Sequence, residues 1–156
     1  MPLQLNQPAP DFVLFDTSKK KISLRDFQGK NVVLLFFPFA FSGTCTKELC
    51  EMRDNYSFYS NLNAEIIGIS VDSLYTNAKF KEAHQLNFPL LSDFNKEVSE
   101  QYDALLENFN FDYHGVSKRA TFVIDKNGNL VYSEVLAMPG DYPDMAKLKD
   151  VVSSLK

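Results

Sequence analysis

The sequence predicts an α/β fold, a central mixed β-sheet flanked by helices, and three observations carry that reading. Residues 31–37, Asn-Val-Val-Leu-Leu-Phe-Phe, form an almost wholly apolar run ended by Pro38, the pattern of a strand covered on both faces. Leu49, Met52, Tyr56 and Tyr59 then recur at helical spacing ahead of a second buried-type run at residues 66–71. Strand, helix and strand in that order imply a right-handed parallel crossover. Finally, residues 120–125 and 130–135 flank Lys126-Asn127-Gly128-Asn129, and Asn-Gly between two apolar runs is a hairpin signal that adds two antiparallel strands.

The remaining elements follow in chain order. After an opening with Pro8 and Pro10, residues 12–15 read as a short strand and residues 26–30 as the turn into the first buried strand. A helix is expected over residues 74–86 with Ser73 as its N-cap, then a short strand at residues 88–91 and a helix over residues 96–104. The chain closes with a helix begun near Pro143, whose Met145, Leu148, Val152 and Leu155 share one face. This succession has a thioredoxin-like order.

At 156 residues and 45% hydrophobic content, the chain has the size and apolar surface of one domain spanning residues 1–156. Sixteen Lys and Arg against 20 Asp and Glu give a net charge of -4, and only Lys19-Lys20-Lys21 concentrates positive charge. Nucleic acid and anionic membrane are therefore poor partners. The first residues lack a basic region followed by an apolar one, and the longest apolar run, residues 32–41, is too short to span a bilayer. The expected address is cytoplasmic.

Both cysteines, Cys45 and Cys50, fall between the first buried strand and the helix-spaced residues. A reducing compartment removes ordinary disulfides, so two thiols in a domain able to build its own core point to transient chemistry. Cys45 should sit beyond the carboxyl end of a central strand, where open α/β sheets place their chemistry. The helix N-terminus favours a thiolate there, with thiol pKa values lowered from ~8.5 into the range of roughly 3.5–7.5. Burial as a small apolar residue is the plainer alternative for Cys45, which shares a stripe with Leu49, but Cys50 falls about 140° away from that stripe. On an intact helix, residues five apart have Cα atoms about 8.6 Å apart. That exceeds the ~7 Å reach of a disulfide, so a Cys45–Cys50 bond requires the first helical turn to unwind.

Pro38-x-x-x-Ser42-x-x-Cys45, with Glu48 three residues on and Arg119 ahead of residues 120–125, resembles the peroxiredoxin active-site pattern. The likeness runs from Pro8-Ala9-Pro10-Asp11-Phe12 to the last helix. Cys50 resembles the resolving cysteine of the bacterioferritin-comigratory (Q-type) group. Residues 36–43 look closer to the AhpE-like group, many of whose members use one cysteine.

The resemblance implies a thiol peroxidase acting on hydrogen peroxide and organic hydroperoxides. Cys45 attacks the terminal peroxide oxygen and becomes a sulfenic acid, Cys50 condenses with it to a disulfide, and a thioredoxin-like or other thiol reductant recycles the pair. No cofactor or metal is implied, and the protein would be a monomer or homodimer. A lower thiol pKa raises the thiolate fraction only by roughly tenfold and weakens the nucleophile, so most acceleration must come from donors aimed at the peroxide oxygens. The candidates are the Arg119 guanidinium, the Ser42 hydroxyl and the N–H groups of Thr44 and Cys45. Pro38 would shield the sulfur and fix the loop, and Glu48 would hold an arginine through a bidentate pair or merely favour the helix dipole. Arg53 reads as a structural ion-pair partner.

Three other readings compete. A metal site of Cys45, Cys50, His84 and His114 lacks the usual ligand spacing. A thioredoxin-class reductase would carry Cys-x-x-Cys. A noncatalytic interaction module on the same fold would use the seven Tyr and 14 Phe as a surface patch, although aromatics mostly belong to the core. Phe39, Phe41 and residues 109–113 would line either a pocket mouth or a dimer contact.

Overall fold

The computed structural model describes residues 3–155, leaving Met1, Pro2 and Lys156 of the expected 1–156 domain outside the described residues. Strands β1 (Val13–Asp16) and β2 (Lys21–Ser23) form a hairpin, followed by β3 (Asn31–Phe36), α1 (Gly43–Asp54), α2 (Tyr56–Ser60) and β4 (Ala64–Ser70). Next come α3 (Leu74–His84), β5 (Leu90–Ser92), α4 (Glu97–Gln101), β6 (Leu105–Phe109) and β7 (Tyr113–Ser117). The chain ends with β8 (Ala120–Ile124), β9 (Leu130–Val135) and α5 (Met145–Ser153). Seven strands make one mixed sheet in the order β2-β1-β5-β4-β3-β8-β9, with β3, β4 and β5 parallel and the outer pairs antiparallel. The α/β fold with a mixed central sheet flanked by helices is thus present.

All six residues of β3 are buried because the sheet is covered on both sides. Val33, Leu35 and Phe37 face a core built with Cys45, Leu49 and Met52 of α1, Tyr59 of α2, Phe80 of α3, and Leu148 and Val152 of α5. Val32, Leu34 and Phe36 face the other way, onto Val98 of α4, Tyr102, Phe12 and Phe122. Alternation along one strand therefore builds two cores, each fully buried large side chain contributing roughly 1.5–3 kcal/mol.

The local chemistry explains the boundaries. Ser73 caps α3 by accepting from the Thr76 N–H at 3.2 Å, and Gln85 ends that helix in the left-handed region at φ 52°. In the β8–β9 turn, Asp125 Oδ1 accepts from the N–H groups of Asn127 and Asn129, and Gly128 takes φ +87°.

Beside the unexpected short strand β2 and the end of α3 at His84 instead of residue 86, three larger features differ from the sequence expectation. The helical stripe that runs on through Tyr59 breaks at Asn55, whose Nδ2 donates to the Glu51 carbonyl at 2.9 Å while its backbone leaves the helix at φ -102°, ψ 15°. The helix expected over residues 96–104 stops at Gln101, with Asp103 at φ 54°. Residues 105–117 form a separate β6–β7 hairpin. Its strands alternate too weakly in hydropathy to announce themselves, since much of the hairpin is solvated on both faces.

Candidate active site

The site begins where β3 ends. Pro38 is buried, and the loop after it turns at Phe41, whose φ of 70° lies in the left-handed region. Asp72, beyond the end of β4, fixes that loop by accepting from the Ala40 N–H at 2.7 Å, and its own carboxylate accepts from Ser70 Oγ at 2.8 Å. Ser42 is then the extended N-cap residue of α1, which places Cys45 in the first turn. The first backbone bond of the helix runs from the Thr46 N–H to the Ser42 carbonyl, so the N–H groups of Thr44 and Cys45 have no i-4 partner.

The antiparallel register of β3 with β8 pairs Phe36 with Ala120. Arg119, one residue ahead, is thereby delivered to the carboxyl end of β3, beside the start of α1. Its Nη1 donates to Cys45 Sγ at 3.3 Å and to Glu48 Oε1 at 2.8 Å, and its Nη2 donates to the Pro139 carbonyl at 2.9 Å. Cys45 and Glu48 are 0% exposed and Arg119 only 2%.

One guanidinium thus stands between a thiol and a carboxylate inside the core. Burial pushes the Glu48 carboxyl up to about 7, only partly opposed by Arg119, and the Glu134 and Glu51 charges add to the rise. Glu48 Oε2 and Arg119 Nε have no hydrogen-bond partner. The pair is therefore joined through one carboxylate oxygen and is not the expected bidentate fork. Glu48 also lies in the second turn of α1, not the first, so its carboxylate is spent on Arg119 and not on the helix dipole.

Ser42 differs from the expectation of a donor. Its hydroxyl proton goes to the Phe39 carbonyl at 2.9 Å, so the oxygen is left as an acceptor. Cys50 is half-buried on the same unbroken helix, and both cysteines are free. Arg53 binds Asp54 and the His84 carbonyl, a structural ion-pair partner as the sequence suggests. Phe39 packs edge-on against Phe109 and Tyr113, and Phe41 against Phe80. Among the described residues, no group of three or more His, Cys, Asp or Glu side chains converges on a common point.

Sequence reasoning missed Asp72 and the segment around Pro139 and Tyr142. Pro139 contributes a backbone carbonyl, which no residue type announces, and Asp72 acts on a loop 32 positions away.

Residues 5–133 match the model of the AhpC/TSA family. The chain is 40% identical over 133 residues to Peroxiredoxin Bcp of Bacillus subtilis, covering 84% of each. It is 35% identical over 156 residues to Alkyl hydroperoxide reductase E of Mycobacterium tuberculosis, covering 98% of each. The crystal structure of Peroxidoxin BcpB from Mycobacterium tuberculosis superimposes with a TM-score of 0.85 at 27% identity over 99% of both chains. A fold of this kind with a buried thiol beside a guanidinium defines a peroxidase of the thiol class. The chain belongs to the AhpC/TSA family and, within it, to the peroxiredoxins.

Proposed function

We propose that this peroxiredoxin reduces hydrogen peroxide and organic hydroperoxides through Cys45, resolves the product with Cys50 and is recycled by a thioredoxin-like dithiol in a reducing cytoplasm. The observation that carries the reading is the contact of Arg119 Nη1 with Cys45 Sγ, both side chains being buried.

In the first step the Cys45 thiolate attacks the terminal oxygen of ROOH. The S–O bond forms as the O–O bond breaks, leaving Cys45 sulfenic acid and an alkoxide or hydroxide that takes up a proton. Charge develops on both oxygens, and the unspent Nε–H of Arg119 with the N–H groups of Thr44 and Cys45 are donors available to them. Ser42, its own proton committed to Phe39, accepts from the peroxide O–H and orients it. Glu48 and the Pro139 carbonyl hold the guanidinium in place, and Pro38 keeps water off the sulfur. In the second step the Cys50 thiol displaces water from the sulfenic acid, forming the Cys45–Cys50 disulfide. A dithiol then reduces it by exchange, ending as a disulfide itself.

The intact helix around both thiols favours a second reading, a one-cysteine peroxidase whose sulfenic acid is reduced by an external thiol, in line with the resemblance of residues 36–43 to the AhpE-like group. Mixing reduced protein with one equivalent of hydrogen peroxide and following intact mass and free thiols tests both readings. Loss of two hydrogens and both thiols in the parent, with a trapped Cys45 sulfenic acid in Cys50→Ser, supports the two-cysteine cycle. A sulfenic acid that persists in the parent supports the one-cysteine route, and an unreactive Cys45 removes the peroxidase assignment.

A further inference from the structure

The segment that supplies the Pro139 carbonyl to Arg119 makes a second attachment three residues later. Tyr142 Oη donates to Glu51 Oε1 at 2.6 Å, and Lys47 Nζ stands 4.4 Å from the centroid of the Tyr142 ring. Lys47 and Glu51 are four apart on α1, neighbours on one face of the helix. A single side chain thus clasps the turn that separates Cys45 from Cys50. Burial, and then the Glu51 carboxylate, push the Tyr142 phenol up, so the bridging proton stays on the tyrosine.

The two thiols cannot meet while that turn is helical, because their Cα atoms lie about 8.6 Å apart on an α-helix and a disulfide needs less than ~7 Å. Any unwinding of residues 46–50 changes the spacing of Lys47 and Glu51. Tyr142 cannot follow both. At least one of its two contacts must therefore break before the sulfurs come within reach.

We propose that Tyr142 is a latch on the redox-active helix: by clasping Lys47 and Glu51 it holds the inter-thiol turn closed and so sets how fast Cys50 resolves the Cys45 sulfenic acid. This rests on the two-cysteine reading above. The latch governs a partition. While it is shut, the Cys45 sulfenic acid can meet a second peroxide and pass to sulfinic acid; once it opens, Cys45–SOH and Cys50–SH give the disulfide and water. The hydrogen bond of Tyr142 goes to Glu51 and not to the sulfur or the guanidinium, so it positions the resolving thiol and is not part of the first step.

The test uses the full chain with Tyr142→Phe, and with Glu51→Gln as a second variant that leaves the tyrosine in place. In reduced protein, amide exchange of residues 46–50 is expected to rise about tenfold in Tyr142→Phe, equivalent to ~1.4 kcal/mol, and by a smaller factor in Glu51→Gln. After one equivalent of hydrogen peroxide, the rate of disulfide formation should rise by the same factor. The sulfinic fraction at excess peroxide should fall, and in Tyr142→Phe the rate of the first peroxide step should stay at the parent value. Exchange and disulfide formation both within twofold of the parent in the two variants overturn the latch while the two-cysteine cycle stands. A parent that forms no Cys45–Cys50 disulfide overturns the cycle and, with it, the role of the latch, even if exchange responds.

Discussion

In the proposed mechanism Arg119 is the residue on which the chemistry turns, because one planar group contacts the sulfur, a buried carboxylate and a carbonyl at once. Lysine keeps the charge but cannot present donors in three fixed directions. Arg119→Lys should therefore lower kcat/KM for hydrogen peroxide by about tenfold or more, as measured by stopped-flow fluorescence or competition kinetics. A value within twofold of the parent removes Arg119 from the mechanism. Glu48 makes a different prediction. Its carboxyl is raised from 4.5 to about 7 by burial, so the folded protein binds a proton more tightly than the unfolded chain between those values. Its contribution to stability is thus full below pH 4.5 and is lost as pH rises through about 7. Glu48→Gln retains an oxygen for Arg119 and removes the titration. The stability of the parent relative to Glu48→Gln should fall between pH 5 and pH 8 in urea unfolding, and a constant difference would refute the raised value.

At the scale of elements, the proposed two-cysteine cycle requires α1 to be both a scaffold and a moving part. Its inner face buries Cys45, Glu48, Leu49 and Met52, while Cys50 stands off that face. Formation of the Cys45–Cys50 disulfide should cost helical signal in far-UV circular dichroism and lower amide protection around residues 43–50. An oxidised protein with undiminished helix would mean that the pair does not close within one chain. The sheet makes a second demand. Gly68 lies in β4 where a Cβ would sit 2.6 Å from Leu90 Cδ2 and 3.3 Å from Phe37 Cε1, both inside the core. Gly68→Ala should destabilise by roughly 1–3 kcal/mol through overpacking, read as a lowered urea midpoint with unchanged slope.

At the scale of the molecule, the sheet brings together three distant parts of the chain: the β3–α1 junction, Arg119 ahead of β8, and the loop after β9 that carries Pro139 and Tyr142. In the proposed cycle, recycling is a property of this whole. Cys50→Ser should leave the first peroxide turnover within about twofold of the parent, since the sulfur, Arg119 and Ser42 are untouched, and should abolish steady-state turnover with a thioredoxin-like dithiol. Sustained turnover of Cys50→Ser with that dithiol would establish the one-cysteine route.

The sequence by itself determined the α/β class, the buried strand and crossover and the β8–β9 hairpin, and through its resemblance to the peroxiredoxin motif it singled out Pro38, Ser42, Cys45 and Arg119 as candidates. Apolar periodicity, an Asn-Gly turn and a spaced motif are all local patterns that a linear chain displays. It also marked Glu48, although not the single-oxygen contact by which it holds Arg119. Only the tertiary structure decided the break at Asn55, where a side chain competes with the helix for one carbonyl, and the β6–β7 hairpin, whose faces carry little hydrophobic contrast. Only the fold, too, could turn Ser42 into an acceptor and set Asp72, Pro139 and Tyr142 around α1. The physical reason is range: a hydrogen bond across 91 residues, such as that of Tyr142 with Glu51, leaves no periodic trace in the chain and exists only once packing has brought its partners together.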